Sequence, residues 1–234
     1  KEERFAAKKG EMVSVNIGKK LGFTRVLLLG LGKKSNLSSL VLKRGMGTAI
    51  RTLTKSKTQK IAVYVPRLSG KKLQAGQIGE SLCLGALTAE YQFTEYKTEK
   101  KDLPTRVNEL TFYTTYPLKT FSRGIEEGEI IATAVNNSRD YGNQPSNKAN
   151  PSYLVSMAQE VAKTPKVRCK VLNKEEIKQK KMEALLAVSQ GAKHPPKFII
   201  LEYKGKPSSK DWLVFVGKGI TFDSGGISIK PGEK

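Results

Sequence analysis

Trp212-Leu213-Val214-Phe215-Val216-Gly217-Lys218-Gly219-Ile220-Thr221-Phe222-Asp223-Ser224-Gly225-Gly226-Ile227-Ser228-Ile229-Lys230-Pro231 is the most distinctive passage of the chain. It opens with aromatic and β-branched residues in an unbroken apolar run, which predicts a buried strand over 212–217. The run then gives way to glycines, one carboxylate and two lysines. A buried strand that empties into such a loop is the place where α/β proteins put their chemistry. Asp223 is a hard oxygen donor able to bridge two divalent cations. Lys218 can bind a metal only as the neutral amine, a form that adjacent dications favour by like-charge repulsion. Lys230, kept as an ammonium, can polarise a carbonyl oxygen. The glycines let the backbone approach a ligand closely. A phosphate-binding glycine loop, with the lysines paired to the anion, satisfies the same spacing, which does not choose between the two.

Other motifs fail on single positions. Gly30-Leu31-Gly32 follows an apolar run, but a dinucleotide fingerprint needs glycine at Ser35 and a Walker loop needs glycine at Leu27, so a tight strand-to-helix turn is expected. A nucleophile elbow around Ser224 needs glycine at Phe222. His194 is the sole histidine, beside Pro195-Pro196, which excludes histidine-pair metal motifs and leaves a solvated loop residue.

Outward from the loop, strand and helix signals alternate. Strands are expected at 12–17, 26–31 (a buried parallel strand), 60–66, 108–115, 167–172, 184–189 and 197–203. Ser35 is expected to cap a helix carrying Leu37, Leu40, Val41, Ile50 and Leu53. A second helix spans 73–91, with Ile78, Leu82, Ala86 and Ala89 on one side. A long helix covers 119–141, and the turn-rich 142–147 follows it. Asn150-Pro151 opens a helix to about 163, and Asn173 starts another to about 181. The division that follows is an N-terminal α/β domain at 1–118, a linking helix at 119–141 and a second α/β unit at 142–234.

The chain has 234 residues, 38% hydrophobic and 27% charged, with 10 Pro and 21 Gly, a globular composition. No apolar run approaches the ~20 residues of a membrane span, and no signal-peptide pattern is visible. Two cysteines, Cys83 and Cys169, exclude a disulfide framework and a thiolate zinc site, and point to a reducing, cytoplasmic setting. Cys83 reads as a small core residue. The 42 Lys and Arg against 21 Asp and Glu give a formal net charge of +21. Residues 1–60 hold 15 basic and 3 acidic residues, a balance of +12. Such a surface suits a polyanion, yet the lysines fall in scattered pairs without a basic tail, which fits a solvated face as well.

Several of these segments together resemble the leucyl (cytosol) aminopeptidase family of metallopeptidases. The loop from Gly217 to Gly226, continuing through Lys230-Pro231, is similar to the family signature. The segment from Leu28 to Lys33 resembles its GLGK segment. Asn136-Asn137-Ser138-Arg139-Asp140, Asn143-Gln144-Pro145-Ser146-Asn147 and Pro151-Ser152-Tyr153-Leu154 resemble its linker. Residues 182–191, Pro195-Pro196 and Leu201-Glu202-Tyr203 resemble a further passage, with Glu183 and Ser189 where the family usually has glycine. The match runs in register along nearly the whole chain.

The resemblance implies an α/β fold: a macrodomain-like N-terminal α/β domain, a long linking helix, and then the start of a mixed-sheet catalytic domain. It implies a metal-dependent aminopeptidase that releases N-terminal residues, leucine-like ones preferred. Two divalent metals (zinc, manganese or magnesium) activate water for attack on the scissile carbonyl and anchor the free α-amine. Lys218 matches a ligand of one metal, Asp223 the aspartate that bridges both, and Lys230 the catalytic lysine on the substrate carbonyl; all three contact substrate. The family assembles as a hexamer, so a homohexamer is expected, with peptides as substrates. Its remaining carboxylate ligands and its catalytic arginine fall after Lys234, so the chain reads as an internal fragment. Taken alone it is expected to be inactive and marginally soluble. The alternative is a basic module that binds nucleic acid, or serves assembly, without catalysis.

Overall fold

The computed structural model describes residues 5–18, 22–68, 73–99, 103 and 105–222. The chain divides into two compact units, residues 1–142 and 143–234. The order of elements is mixed α/β throughout.

The first unit opens with strand β1 (Met12–Asn16) and strand β2 (Arg25–Leu29), which pair antiparallel with Met12 opposite Leu29 and Asn16 opposite Arg25. The expectation of a buried parallel strand at 26–31 is therefore corrected. Eight residues join the two strands, and so short a connection permits only an antiparallel return. β2 is also only partly buried. The segment before β1 extends the ladder, with Gly10 N–H donating to Gly30 O and Gly32 N–H to Ala7 O. A Cβ on Gly30 would lie 2.1 Å from Lys8 O, and Gly32 has φ +77°, so both glycines are required by this close passage.

Helix α1 (Ser39–Lys55) begins three residues later than expected. Ser38, not Ser35, is its cap: the Ser38 hydroxyl accepts from Val41 N–H. Ser35 instead lies in a short 3-10 turn at Lys34–Asn36. Strand β3 (Lys60–Val65), helix α2 (Ala75–Glu90) and strand β4 (Glu109–Thr114) form a β-α-β unit. Its strands pair in parallel, Ile61 opposite Leu110 and Val63 opposite Phe112, as a helical crossover allows. Gln74 and Gln77 close a reciprocal capping box at the start of α2. Helix α3 (Leu118–Asn143) is the long helix expected from the pattern.

Leu42, Met46 and Ile50 of α1, Ile61 and Val65 of β3, Ile78, Leu82 and Ala86 of α2, and Phe121 of α3 form one buried cluster. Phe112 meets Phe121 edge-on at 6.0 Å. Burying each large side chain of this set contributes about 2 kcal/mol. Glycines bring the helices together. A Cβ at Gly124 would fall 2.0 Å from Gly76 O, at Gly79 2.5 Å from Phe121 O, and at Gly85 2.3 Å from Lys43 O. Any side chain there would drive backbone from backbone. Cys83 is buried beside these contacts, and its thiol is pushed up to about 11, first by desolvation and then by the nearby Glu129 charge.

In the second unit Asn150 caps helix α4 (Pro151–Val161), its side chain accepting from Ser152 and Tyr153 N–H with proline in the first turn. Strand β5 (Val167–Leu172) leads through Asn173, in a capping box with Glu176, into helix α5 (Lys174–Gln179). Helix α6 (Glu183–Ser189) stands where a strand was expected at 184–189. The apolar run there is too short for periodicity to separate the two, and Glu, Ala and Leu are strong helix formers. Strand β6 (Phe198–Tyr203) pairs antiparallel with β5, Val167 opposite Tyr203 and Leu172 opposite Phe198. Leu172 and Ile177 are the largest fully buried side chains of this unit.

Residues 204–222 carry no strand or helix, so the strand expected at 212–217 is a further correction. Leu213 is 80% exposed, Phe215 86% and Val216 94%. A strand is defined by its hydrogen-bonded neighbours, and among the described residues β5 and β6 pair only with each other. The run has the composition of a strand and no ladder to join.

Candidate functional site

The candidate site lies at the end of this extended stretch. Lys218 is exposed, and Gly217 and Gly219 flank it. Neither glycine has a left-handed φ, and a Cβ on either would meet nothing within 4 Å. Space is therefore open on both sides of the lysine backbone. Asp223 and Lys230 lie outside the described residues, so Lys218 is the one expected site residue with a described position. Among the described residues no group of three or more His, Cys, Asp or Glu could hold a metal ion.

The donor chemistry fits a divalent metal. A carboxylate at 223 supplies hard oxygen, a lysine at 218 supplies an amine nitrogen, and the open glycine flanks leave room for a ligand beside it. With only these two donors, further ligands are needed to fill a coordination sphere.

Asn136, Arg139 and Asp140, singled out in the sequence, have a definite place. They line the inner side of α3 where it passes the C-terminal end of α2. Arg139 Nη1 donates to Thr88 O at 2.7 Å, Asn136 Nδ2 donates to Leu87 O at 3.2 Å, and Tyr91 Oη donates to Asp140 Oδ1 at 2.7 Å. The Arg139 guanidinium also stands 5.4 Å from the centre of the Tyr91 ring. Carbonyls that α2 leaves unpaired at its end are thus met by donors from α3, one of them a cation at the negative pole of the helix. Their spacing of three and four residues signals one helix face; that this face docks α2 is a matter of tertiary packing. A cleft of about 340 Å³ lies beside this contact and is lined by residues of the first unit alone, Glu90, Arg106 and Glu129 among them.

Comparison with known proteins covers both units. Residues 1–100 match the model of the cytosol aminopeptidase family, N-terminal domain, and residues 136–234 match that family's catalytic domain. A probable cytosol aminopeptidase of Geobacter sp. (strain M21) is 36% identical over 229 residues, covering 97% of this chain and 46% of the relative. One of Chlamydia felis is 37% identical, covering 99% and 46%. The chain spans about half the length of the curated relatives it matches. Among solved structures, a mutant of tomato leucine aminopeptidase superposes with a TM-score of 0.80 at 26% identity, over 94% of this chain and 43% of that one. The bottromycin maturation enzyme BotP in complex with Mn shares the fold at a TM-score of 0.71 and 21% identity, over 84% and 40%.

Proposed function

The chain belongs to the cytosol aminopeptidase family, and from that premise we propose that the protein is a metal-dependent aminopeptidase. The observation that carries the proposal is the in-register match through both units up to the glycine loop around Lys218. The domain limits at 118 and 141, a cytoplasmic location, a homohexameric assembly and a preference for leucine-like residues belong to the same proposal.

In this reading Lys218 and Asp223 hold two divalent metal ions, zinc, manganese or magnesium, together with further carboxylates. The BotP relative is solved with manganese, which favours a metal of this class. When bound, such ions supply Lewis-acid polarisation. Lys230 places its ammonium against the substrate carbonyl oxygen, where negative charge grows during attack, and stabilises that charge. Lys218, between two glycines, leaves its flanks open for the peptide backbone. An aminopeptidase requires the free α-amine of its substrate, which is the discriminating test. The protein that carries this sequence should hydrolyse leucine p-nitroanilide and leave its N-acetylated form intact. Chelation should abolish turnover, and manganese or zinc should restore it. Equal turnover of the acetylated substrate, or turnover indifferent to chelation, contradicts the reading.

A further inference from the structure

The first unit contains a pair of hollows for which the metal reading has no use. Glu129, Thr133, Asn136 and Asp140 of α3 recur at intervals of four, three and four residues. At 100° per residue they fall within about 60° of one another, so they form one polar stripe. This stripe lines the cleft of about 340 Å³ together with Glu90 at the end of α2 and Arg106 ahead of β4. A second hollow, of about 190 Å³, shares Leu87 and Glu90 with the cleft and is walled mainly by apolar side chains, Ile50, Ala86, Val107 and Leu110. Glu109, also in its lining, is paired with Lys60 at 3.2 Å. Two of the three carboxylates in the cleft are committed: Glu90 Oε1 accepts from Val107 N–H, and Asp140 Oδ1 accepts from Tyr91 Oη. The Glu129 carboxylate and the Arg106 guanidinium have no hydrogen bond or ion pair among the described residues. The cleft therefore offers one uncommitted anion and one uncommitted cation beside an apolar hollow.

We propose that these adjoining hollows bind a free α-amino acid with an apolar side chain. Its ammonium pairs with Glu129, its carboxylate with Arg106, and its side chain packs on Ile50, Leu87, Val107 and Leu110. Charge selects this class of ligand. A phosphate or other simple anion would face three carboxylates against one guanidinium, and a simple cation would leave Arg106 unmatched. A divalent metal is the poorer fit, since among the described residues no group of three or more His, Cys, Asp or Glu could hold one. A zwitterion satisfies both free charges, and the apolar walls then discriminate by side chain. Apolar amino acids are also what the proposed peptidase releases, so the site would sense product; that link rests on the aminopeptidase reading, and the binding itself does not.

The test is a ligand-observed NMR titration of the full chain with L-leucine in the presence of a chelator, which removes any metal that could anchor the amine elsewhere. Binding should saturate with a Kd of about 1 mM. Glycine, N-acetyl-leucine and leucinamide lack the side chain, the ammonium and the carboxylate in turn, and each should bind at least about tenfold more weakly. Arg106→Gln and Glu129→Gln should each weaken leucine binding about tenfold. Both replaced side chains are exposed, so the thermal unfolding of the two variants should stay where it was. Lys218→Gln, in the glycine loop, should keep the affinity within about twofold. No saturation by about 20 mM leucine, equal binding of N-acetyl-leucine or leucinamide, unchanged affinity in both cleft variants, or an equal loss in Lys218→Gln would each overturn the proposal. Hydrolysis of leucine p-nitroanilide by the metal-loaded protein reports the aminopeptidase reading separately, so either can fail without the other.

Discussion

The helical layer of the first unit and the stretch 204–222 contain similar residues and end in opposite states. Ile50 and Ile78 are 1% and 0% exposed, whereas Phe215 and Val216 are 86% and 94% exposed. Apolar composition is the same in kind; what differs is partners. α1, α2, α3, β3 and β4 follow one another in sequence and close over a shared cluster. The run from Trp212 has no strand beside it among the described residues. Burial belongs to an arrangement of elements, and a segment can be hydrophobic without having it.

The contrast can be broken by substitution. The largest effect is expected at Ile78: Ile78→Ala leaves a cavity at the centre of the core and should cost about 4 kcal/mol in denaturant unfolding. Gly124→Ala pushes a methyl group to within 2.0 Å of Gly76 O and should cost about 3 kcal/mol, although alanine is the better helix former. A neutral or stabilising result would mean that α2 and α3 are not in backbone contact.

Cys83 tests the core by reactivity. Its thiol ionises at about 11 in place of the ordinary 9.0. At pH 8 the thiolate population is then roughly a hundredfold below that of a free cysteine, and alkylation should be slower by a similar factor. A raised acid pKa means that the folded state holds its proton longer. The contribution to stability is therefore intact below about 9 and falls as pH rises towards 11. Rapid alkylation of Cys83 in the native protein would contradict its burial.

Smaller effects belong to the second unit and the exposed stretch. Asn150→Ala removes the cap that accepts from Ser152 and Tyr153 N–H and should cost about 1 kcal/mol. Val216→Ser should shift the stability of this chain by less than about 0.5 kcal/mol, since the side chain it replaces is already in solvent. A large loss at Val216 would show that the stretch is packed after all.

The same contrast separates the features that are legible in the amino-acid sequence from those that are not. Caps and helices are legible because their causes are local: Asn150-Pro151 and Asn173 announce α4 and α5 by side chains that bond the next turn. α2 and α3 are legible from apolar spacing along one face. Expectation and fold part where the deciding partner is distant or the signal is ambiguous. Ser35 and Ser38 are both capping residues, and only packing of Val41 and Leu42 sets where α1 begins. Glu183–Ser189 is apolar but too short for its period to speak. Trp212–Val216 looks like a strand because strand composition reports on the residues and not on their neighbours. The direction of β2 is likewise set by its pairing with β1 and not by Gly30 and Gly32, which follow it. Of the site, the residue types and spacing in 217–230 are legible, and the fold adds the openness of the backbone on either side of Lys218. The docking of Arg139 onto Thr88 O joins residues 51 positions apart, a contact no local pattern encodes.

We propose Asp223 as a donor shared by two metal ions, and metal stoichiometry measured together with turnover tests that role. In the protein that carries this sequence, Asp223→Asn should lower bound manganese or zinc below two per chain and reduce hydrolysis of leucine p-nitroanilide about a thousandfold, while the thermal unfolding of the metal-free protein stays where it was. Undiminished metal content and undiminished hydrolysis in that variant would contradict the account.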